Sequence, residues 1–445
     1  MHDSLVRDLV RDGVRVAQRT EAERQGQMTQ DWIDHVVLGK GRLGERRATT
    51  SAAPMSVWHD AGMRIAVLSD LHVSRYGDTN EATAIPGRPW IKMGGDVVDK
   101  GVFWRTAVQD GGWKIQQNRV DLHWRVVDPD GIRRATNATD QASMERQVRA
   151  WRIADARALI HGFPSSLDMI EALTYDPTNT NLRLVQARRA LDALSPRPDW
   201  VVLCGDQTDN GYGYYLIDHV LRPWVEERRL LVVPGNHDIN KTLVAPLGYS
   251  FRMEPGTYSR DEKVATFWRW FEAVTGQHPF PEGVSRPVPL ADGVFFIGID
   301  SIKDNSSFFG QFAAVRNAIG EVSQSSLQRL KDVIGDIRRD ARCIIVALHH
   351  HVLWKGLART MQFETLMSLR NAEATWEVLK DLRVDLVLNG HRHYSYYRDD
   401  LGPNAPRLLS SPSTTLGDAR SGKHFFWTVD VTPEGLRVEE VTLPT

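Results

Sequence analysis

The sequence predicts an α/β fold, and three observations carry the prediction. Short apolar runs rich in β-branched residues, closed by turn signals, alternate with longer stretches of helical period. The chain is 445 residues long with 42% hydrophobic and 25% charged residues, enough to bury a sizeable core in two domains or in one large domain with insertions. Five of the apolar runs stop at Asp, Asn or His side chains, and strand ends are where open α/β sheets present ligand-binding groups.

Residues 1–47 read as helical. Leu5, Leu9, Val10, Val14 and Val16 fall near one face, and Trp32, Ile33, Val36 and Val37 repeat the pattern. Thr49–Pro54 is a small-residue linker, so residues 1–62 form a helical extension ahead of the first strand. That strand is Met63–Ser69, and it ends in Asp70-Leu71-His72. Alternation puts Asp70 and His72 on one side and Leu71 on the other.

From Tyr76 to Asn181 the character changes. Trp104, Trp113 and Trp124 are spread through polar sequence. Val120, Leu122, Trp124 and Val126 alternate with polar residues, which predicts a strand, and Pro129-Asp130-Gly131 follows as a turn. Met144–Leu173 reads as a helix broken at Gly162-Phe163-Pro164.

The pattern Gly-Asp-x-x-Asp-x-Gly occurs twice, at Gly95–Gly101 and at Gly205–Gly211. The second copy follows a helix, Leu182–Leu194, and a buried strand, Trp200–Cys204. The first has only Trp90–Met93 before it. A metal-site carboxylate needs a rigid strand behind it, which selects Asp206 over Asp96. Leu230–Val233 is the next strand; Pro234 and Gly235 close it, and Asn236, His237 and Asp238 follow. Lys263–Val274 reads as an aromatic-rich helix, Val294–Ile299 as a strand and Ser323–Ile337 as a helix. Cys343–Leu348 is a buried strand running into His349-His350-His351. Thr375–Leu382 is helical, and Val384–Leu388 is a strand that leads into Asn389-Gly390-His391-Arg392-His393. Leu408–Ser411, Phe425–Val429 and Leu436–Val441 are three closing strands.

Any one of these strand ends reads alone as an ordinary hydrogen-bonded loop. Together they supply Asp70, His72, Asp206, Asn236, a histidine of 349–351, His391 and His393. Three Asp or Asn oxygens and four His nitrogens serve two divalent ions, with Asp206 as the shared bridge. Such mixed shells suit manganese, iron or zinc rather than magnesium or calcium. His237 is able to carry a proton near neutral pH.

At this point the sequence resembles the calcineurin-like metallophosphoesterase superfamily. The motifs stand as Asp70-Leu71-His72, Gly205-Asp206, Gly235-Asn236-His237-Asp238, His349-His350 and Gly390-His391-Arg392-His393, in family order. The resemblance covers residues 63–75 and 182–445. It implies two stacked mixed β-sheets flanked by helices, a four-layer sandwich carrying a dinuclear centre. By motif, Asp70, His72, Asp206 and His393 would hold one ion. Asp206, Asn236, His349 and His391 would hold the other, with His350 as the alternative to His349. The family more often has Pro after its His-His pair, where His351 and Val352 stand here. Counting from the strand end favours His349; aligning Val352 with the missing Pro favours His350. His237 matches the histidine that contacts the phosphoryl group or the leaving oxygen. The chain between His72 and Asp206 is far longer than one crossover needs, so 76–181 is an insertion and a candidate lid.

The resemblance implies a hydrolase that uses a metal-activated hydroxide, with no covalent intermediate. The substrate expected is a small phosphoester, cyclic nucleotides included. A nuclease of the same superfamily is the alternative; it would need a basic, aromatic-bearing groove, for which Trp124, Arg133, Arg134, Arg146 and Arg149 are the candidates. A scaffold without metals is a further alternative, disfavoured by the full ligand set. A net charge of −1 and a pI near 7.0 give no global basic field of the kind that drives non-specific nucleic-acid binding. Cys204 and Cys343 lie in apolar runs and suit a reducing, cytoplasmic setting. The first residues lack the apolar core of a secretory signal, and no run of 18 apolar residues predicts a membrane span. The oligomeric state is not set by these features.

Overall fold

The computed structural model describes residues 62–73, most of 104–149, 180–208, 213–239, 260–302, 319–353 and 368–444, and all of these belong to one compact unit. The first strand is β1, Met63–Leu68. It is followed by β2 Trp104–Asp110, β3 Trp113–Asn118, β4 Trp124–Val127, β5 Arg133–Ala138, α1 Thr180–Ala193 and β6 Trp200–Leu203. Then come α2 Tyr214–Val220, α3 Arg222–Glu226, β7 Leu230–Val232, α4 Arg260–Thr275, β8 Val288–Ala291 and β9 Val294–Ile299. The remainder is α5 Gln324–Ile337, β10 Cys343–Leu348, α6 Ala372–Asp381, β11 Leu386–Asn389, β12 Tyr396–Arg398, β13 Arg407–Ser410, β14 Phe425–Thr432 and β15 Gly435–Thr442.

The strands form two mixed sheets and one smaller antiparallel sheet. The first sheet has the order β15-β14-β1-β6-β7, with β1, β6 and β7 parallel and β14 and β15 antiparallel beside them. The second has the order β12-β13-β11-β10-β9-β8; its inner four strands are parallel and its two edges antiparallel. Parallel strands covered on both faces are largely apolar, which is why β6 and β10 read as unbroken hydrophobic runs and β1 is broken only by Arg64, which pairs with Asp430.

Strand alternation then distributes these side chains between two cores. Ile345 and Ala347 of β10 join Ile65, Val67 and Leu203 of the first sheet in the larger core. Ile344, Val346 and Leu348 point the other way, onto Leu327, Leu330 and Val333 of α5 and Trp376 and Leu379 of α6. Each Ile, Leu or Val among them contributes roughly 1.5–3 kcal/mol by leaving water. Two tryptophans tie the sheets together: Trp200 Nε1 donates to the Leu290 carbonyl at 3.2 Å and Trp427 Nε1 to that of Ser410 at 3.0 Å. The layered α/β sandwich expected from the sequence is thus present.

The third sheet, β2-β3-β4-β5, lies in the 76–181 insertion and has its own small core of Trp113, Ile115, Trp124, Val126, Met144 and Val148. Here one expectation is corrected. The Val120–Val126 run is not a single strand: β4 begins at Trp124, and Leu122 stands in the connection from β3 with φ 64° and 62% exposure. The alternation continued through a turn because Leu122 is apolar in sequence but solvated in place. The N-terminal extension, Thr49–Pro54, Asp96 with the first Gly-Asp copy, Pro129–Gly131 and residues 151–173 of the expected helix lie outside the described residues.

Candidate metal centre

Five strands of the two main sheets end at one place. Past β1 and β6 the chains stay paired: Asp70 N–H donates to Gly205 O and His72 N–H to Asp206 O, each at 3.0 Å. Past β10 and β11, Gly390 N–H donates to His349 O at 3.0 Å. The sheets are joined where His391 N–H meets both oxygens of Asp70, at 3.0 and 2.9 Å. After β7, a single helical turn, Asn236–Ile239, presents Asn236 and His237. The backbone at these ends is unusual. Asp70, His72, Asp206, His391 and His393 have φ of 51°, 44°, 51°, 74° and 55°. For residues other than glycine this left-handed region costs of order 1 kcal/mol or more each, and it persists only where the surroundings impose it.

Two groups of side chains converge there. Asp206, His349 and His391 form one, Asp70, His72 and His393 the other, and in each group the candidate ligand atoms lie within 4.8 Å of one another. In the first group His349 Nε2 is 3.0 Å from Asn236 Oδ1, 3.1 Å from His391 Nδ1 and 3.2 Å from Asp206 Oδ2. In the second, the Nε2 atoms of His72 and His393 are 3.2 Å apart, and His393 Nε2 is 3.3 Å from Asp70 Oδ1. The His237 ring stands edge-on to His72, with centroids 4.7 Å apart. All seven candidate ligands are therefore brought together, and His350 stands in neither group. Its Nδ1 is 2.9 Å from Ser301 Oγ.

The donor chemistry fits a cation. His349 Nδ1 lies 2.8 Å from the Cys204 carbonyl, which only accepts, so Nδ1 carries the hydrogen and Nε2 presents a lone pair. That lone pair faces oxygens of Asn236 and Asp206 that have no hydrogen to give. Such a cluster is repulsive unless a positive charge lies within it. Without an ion, a proton takes that place: burial pushes the His349 base down, but Asp206 and Asp70 outweigh this and raise it to about 9, so the positive charge the cluster needs then sits on Nε2–H. Burial likewise opposes ionisation of Asp206, yet His349 and His237 hold its carboxyl well below the usual range. Asp70 is also held down, against burial, by its bond to His393. His391 is kept neutral by burial and by His350 and His349.

Several supporting residues were not identified from the sequence. Asp238 is fully buried; its carboxylate accepts from the backbone N–H groups of Gly235 at 3.0 Å, Thr208 at 3.1 Å and Gln207 at 3.2 Å, and from the Tyr214 hydroxyl at 3.1 Å. It fastens the Asp206 loop to the Asn236 turn. Ser413 Oγ donates to Asp70 O at 2.6 Å and Thr415 Oγ1 to Leu71 O at 2.7 Å, which pins the first motif from the loop after β13. His351 Nε2 lies 2.7 Å from the Gly390 carbonyl and Nδ1 3.1 Å from the Tyr396 hydroxyl. Asp238 was visible beside the motif, but its role depends on loops distant in sequence. Ser413 and Thr415 carry no local signal at all.

Residues 161–395, more than half of the chain, match the calcineurin-like phosphoesterase family, and the protein belongs to it. It is thus a hydrolase of phosphoester bonds, and the family implies a dinuclear centre of divalent ions. The matched span starts after the Asp70 motif, which the insertion separates from the rest. Among solved structures the chain is similar to a dimetal phosphatase from Danio rerio, with 13% identity over 86% of this chain and 100% of that one and a TM-score of 0.41. It is also similar to a purple acid phosphatase from yellow lupin (Lupinus luteus) seeds, with 9% identity over 87% of this chain and 53% of that one and a TM-score of 0.39. No curated protein matches the sequence.

Proposed function

We propose that Asp70, His72, Asp206 and His393 hold one divalent ion, and that Asp206, Asn236, His349 and His391 hold the other. Manganese, iron or zinc suits the mixed oxygen and nitrogen donors. The substrate proposed is a small phosphoester, a diester or monoester, with cyclic nucleotides among the candidates. The observation that carries this reading is the convergence of lone pairs from His349, Asn236 and Asp206 within 3.2 Å. When bound, two such ions acidify a water and neutralise charge on the phosphoryl oxygens. The chain's own residues do the rest. Asp206 is fixed by accepting the His237 N–H on Oδ1 at 2.8 Å, which leaves Oδ2 turned towards His349. The half-buried His237 imidazole supplies the proton that the leaving alkoxide needs. No serine or cysteine nucleophile is required, and Cys204 is buried with its thiol pushed out of the reactive range.

The nuclease alternative gains no support from the described side chains of the insertion. Trp124 is in its sheet's core, and Arg149 stands 3.9 Å from Glu145. Arg133 and Arg134 lie on β5, and Arg146 lies outside the described residues. Among the described residues no helix is long and apolar enough to cross a membrane. Two buried free cysteines support a reducing, cytoplasmic setting.

The test is metal analysis of the purified protein with a panel of bis-p-nitrophenyl phosphate, cyclic nucleotides and DNA. Two ions per chain and hydrolysis of the small esters are expected, and Asp206→Asn should lose both. DNA as the preferred substrate would replace this reading with the nuclease one. A metal-free, inactive parent would leave the scaffold.

A further inference from the structure

Lys263, on α4, is fully buried. Desolvating an ammonium is costly, so a lysine at such a position needs a strong partner for its charge. One partner is in the active turn: Nζ donates to the His237 carbonyl oxygen at 2.5 Å. On the other side of the same residue, His237 N–H donates to Asp206 Oδ1 at 2.8 Å. The two peptide groups that flank the His237 α-carbon are therefore held from opposite directions, one by a candidate metal ligand and one by a helix outside every motif. The turn itself has only four residues, too few to fix its own geometry.

We propose that Lys263 is a positioning residue for phosphoester hydrolysis: through the His237 backbone it aims the imidazole at the leaving oxygen. The inference rests on the reading of His237 as the proton donor. Charge-assisted bonds of this kind are about twice as strong as neutral ones, and small misplacements of a catalytic group are expensive in rate.

The test compares Lys263→Met, Lys263→Gln, His237→Ala and the Lys263→Met/His237→Ala pair over aryl and alkyl diesters whose leaving groups rise in pKa. Metal content and thermal midpoint are measured for each. Lys263→Met should keep both ions. It should lose about 10-fold or more in kcat/KM for poor leaving groups and less than about 3-fold for p-nitrophenolate, because only the former need the proton. Lys263→Gln, which keeps a donor without the charge, should recover part of the loss. The double variant should be no slower than His237→Ala alone, since both changes remove one function. The His237 Cε1–H resonance, a readout independent of turnover, should broaden or split in Lys263→Met. Equal losses for every leaving group, multiplied losses in the double variant, or collapse of both Lys263 variants with their metals would make Lys263 a packing residue and overturn the proposal. If His237→Ala alone showed no leaving-group dependence, the proton-donor reading would fail first, and that variant identifies the failure.

Discussion

His349 and His350 are adjacent in the chain and opposite in surroundings. His349 turns Nε2 into the cluster of Asn236, Asp206 and His391, whereas His350 is bonded to Ser301 through Nδ1. Sequence favours His349 and keeps His350 as the alternative, because alternation at a strand end gives the side but not the length of the last extended segment. His349→Ala is expected to lose one ion per chain and nearly all activity. His350→Ala should keep both ions while losing about 1–3 kcal/mol of stability with the buried hydrogen bond between its ring and the Ser301 hydroxyl. Metal analysis beside urea denaturation separates the two, and the reverse pattern would reassign the ligand. A second residue gives a pH signature away from the metals. Asp218 on α2 accepts from Trp270 Nε1 at 2.6 Å; burial raises its carboxyl to about 6 against that bond. The unfolded carboxyl ionises near 3.8, so between about 4 and 6 the folded protein keeps a proton that the unfolded one has lost. Stability from this group therefore falls as pH rises through that window and stays lower above it. Asp218→Asn, which can still accept from Trp270, should match the parent at pH 3.5 and exceed it at pH 7.5 by about 1–3 kcal/mol. An equal gap at both pH values would mean that the carboxyl is not perturbed.

At the level of elements, legibility followed burial. β1, β6, β10 and β11 are legible in sequence because parallel strands covered on both faces are largely apolar, Arg64 of β1 and Asn389 of β11 being the exceptions. β3, WKIQQN, has only Trp113 and Ile115 on its apolar face, too few to read as a strand, and on the opposite face the buried Gln116 accepts from Arg125 Nε of β4 at 2.7 Å. A polar pair that satisfies itself inside a sheet reads as two exposed residues. β8 was missed as well, since Pro289 suits only an edge strand and breaks the apolar run. The motif glycines have an equally physical reading. A Cβ at Gly390 would collide with Ser69 Oγ and Asp70 Oδ2 where the two sheets meet, whereas one at Gly335, on the exposed face of α5, would meet nothing within 4 Å. Opposite outcomes are therefore expected from one substitution. Gly335→Ala should stabilise by about 0.5–1 kcal/mol through helix propensity. Gly390→Ala should cost about 1–3 kcal/mol by overpacking and lower metal occupancy. Thermal midpoints and metal content report both, and a Gly390→Ala protein with full metal and unchanged stability would mean that the sheets can separate there freely.

For the whole molecule, the main question is what the insertion does to a site built elsewhere. No described residue of 76–179 takes part in either main core. Its two ends are nevertheless anchored at the metal centre. Val73 N–H donates to Gln207 O at 3.0 Å just before the insertion, and at its far end Thr180 Oγ1 donates to the His72 carbonyl at 3.0 Å. Both attachment points therefore flank a candidate ligand. Replacing 104 residues by a short linker changes loop-closure entropy only logarithmically, so the core should tolerate it. A protein in which 76–179 is replaced by a Gly-Ser linker, with Thr180 kept, is expected to fold, to bind two ions and to hydrolyse bis-p-nitrophenyl phosphate. Its order of preference among cyclic nucleotides and larger esters should change, because segments rooted beside a site commonly narrow access to it. The comparison is the ranking of kcat/KM across that panel in parent and replacement. If the ranking stays the same while fold and metals are intact, the insertion does not select substrate, and its separate core of Trp113, Trp124 and Val126 serves another purpose.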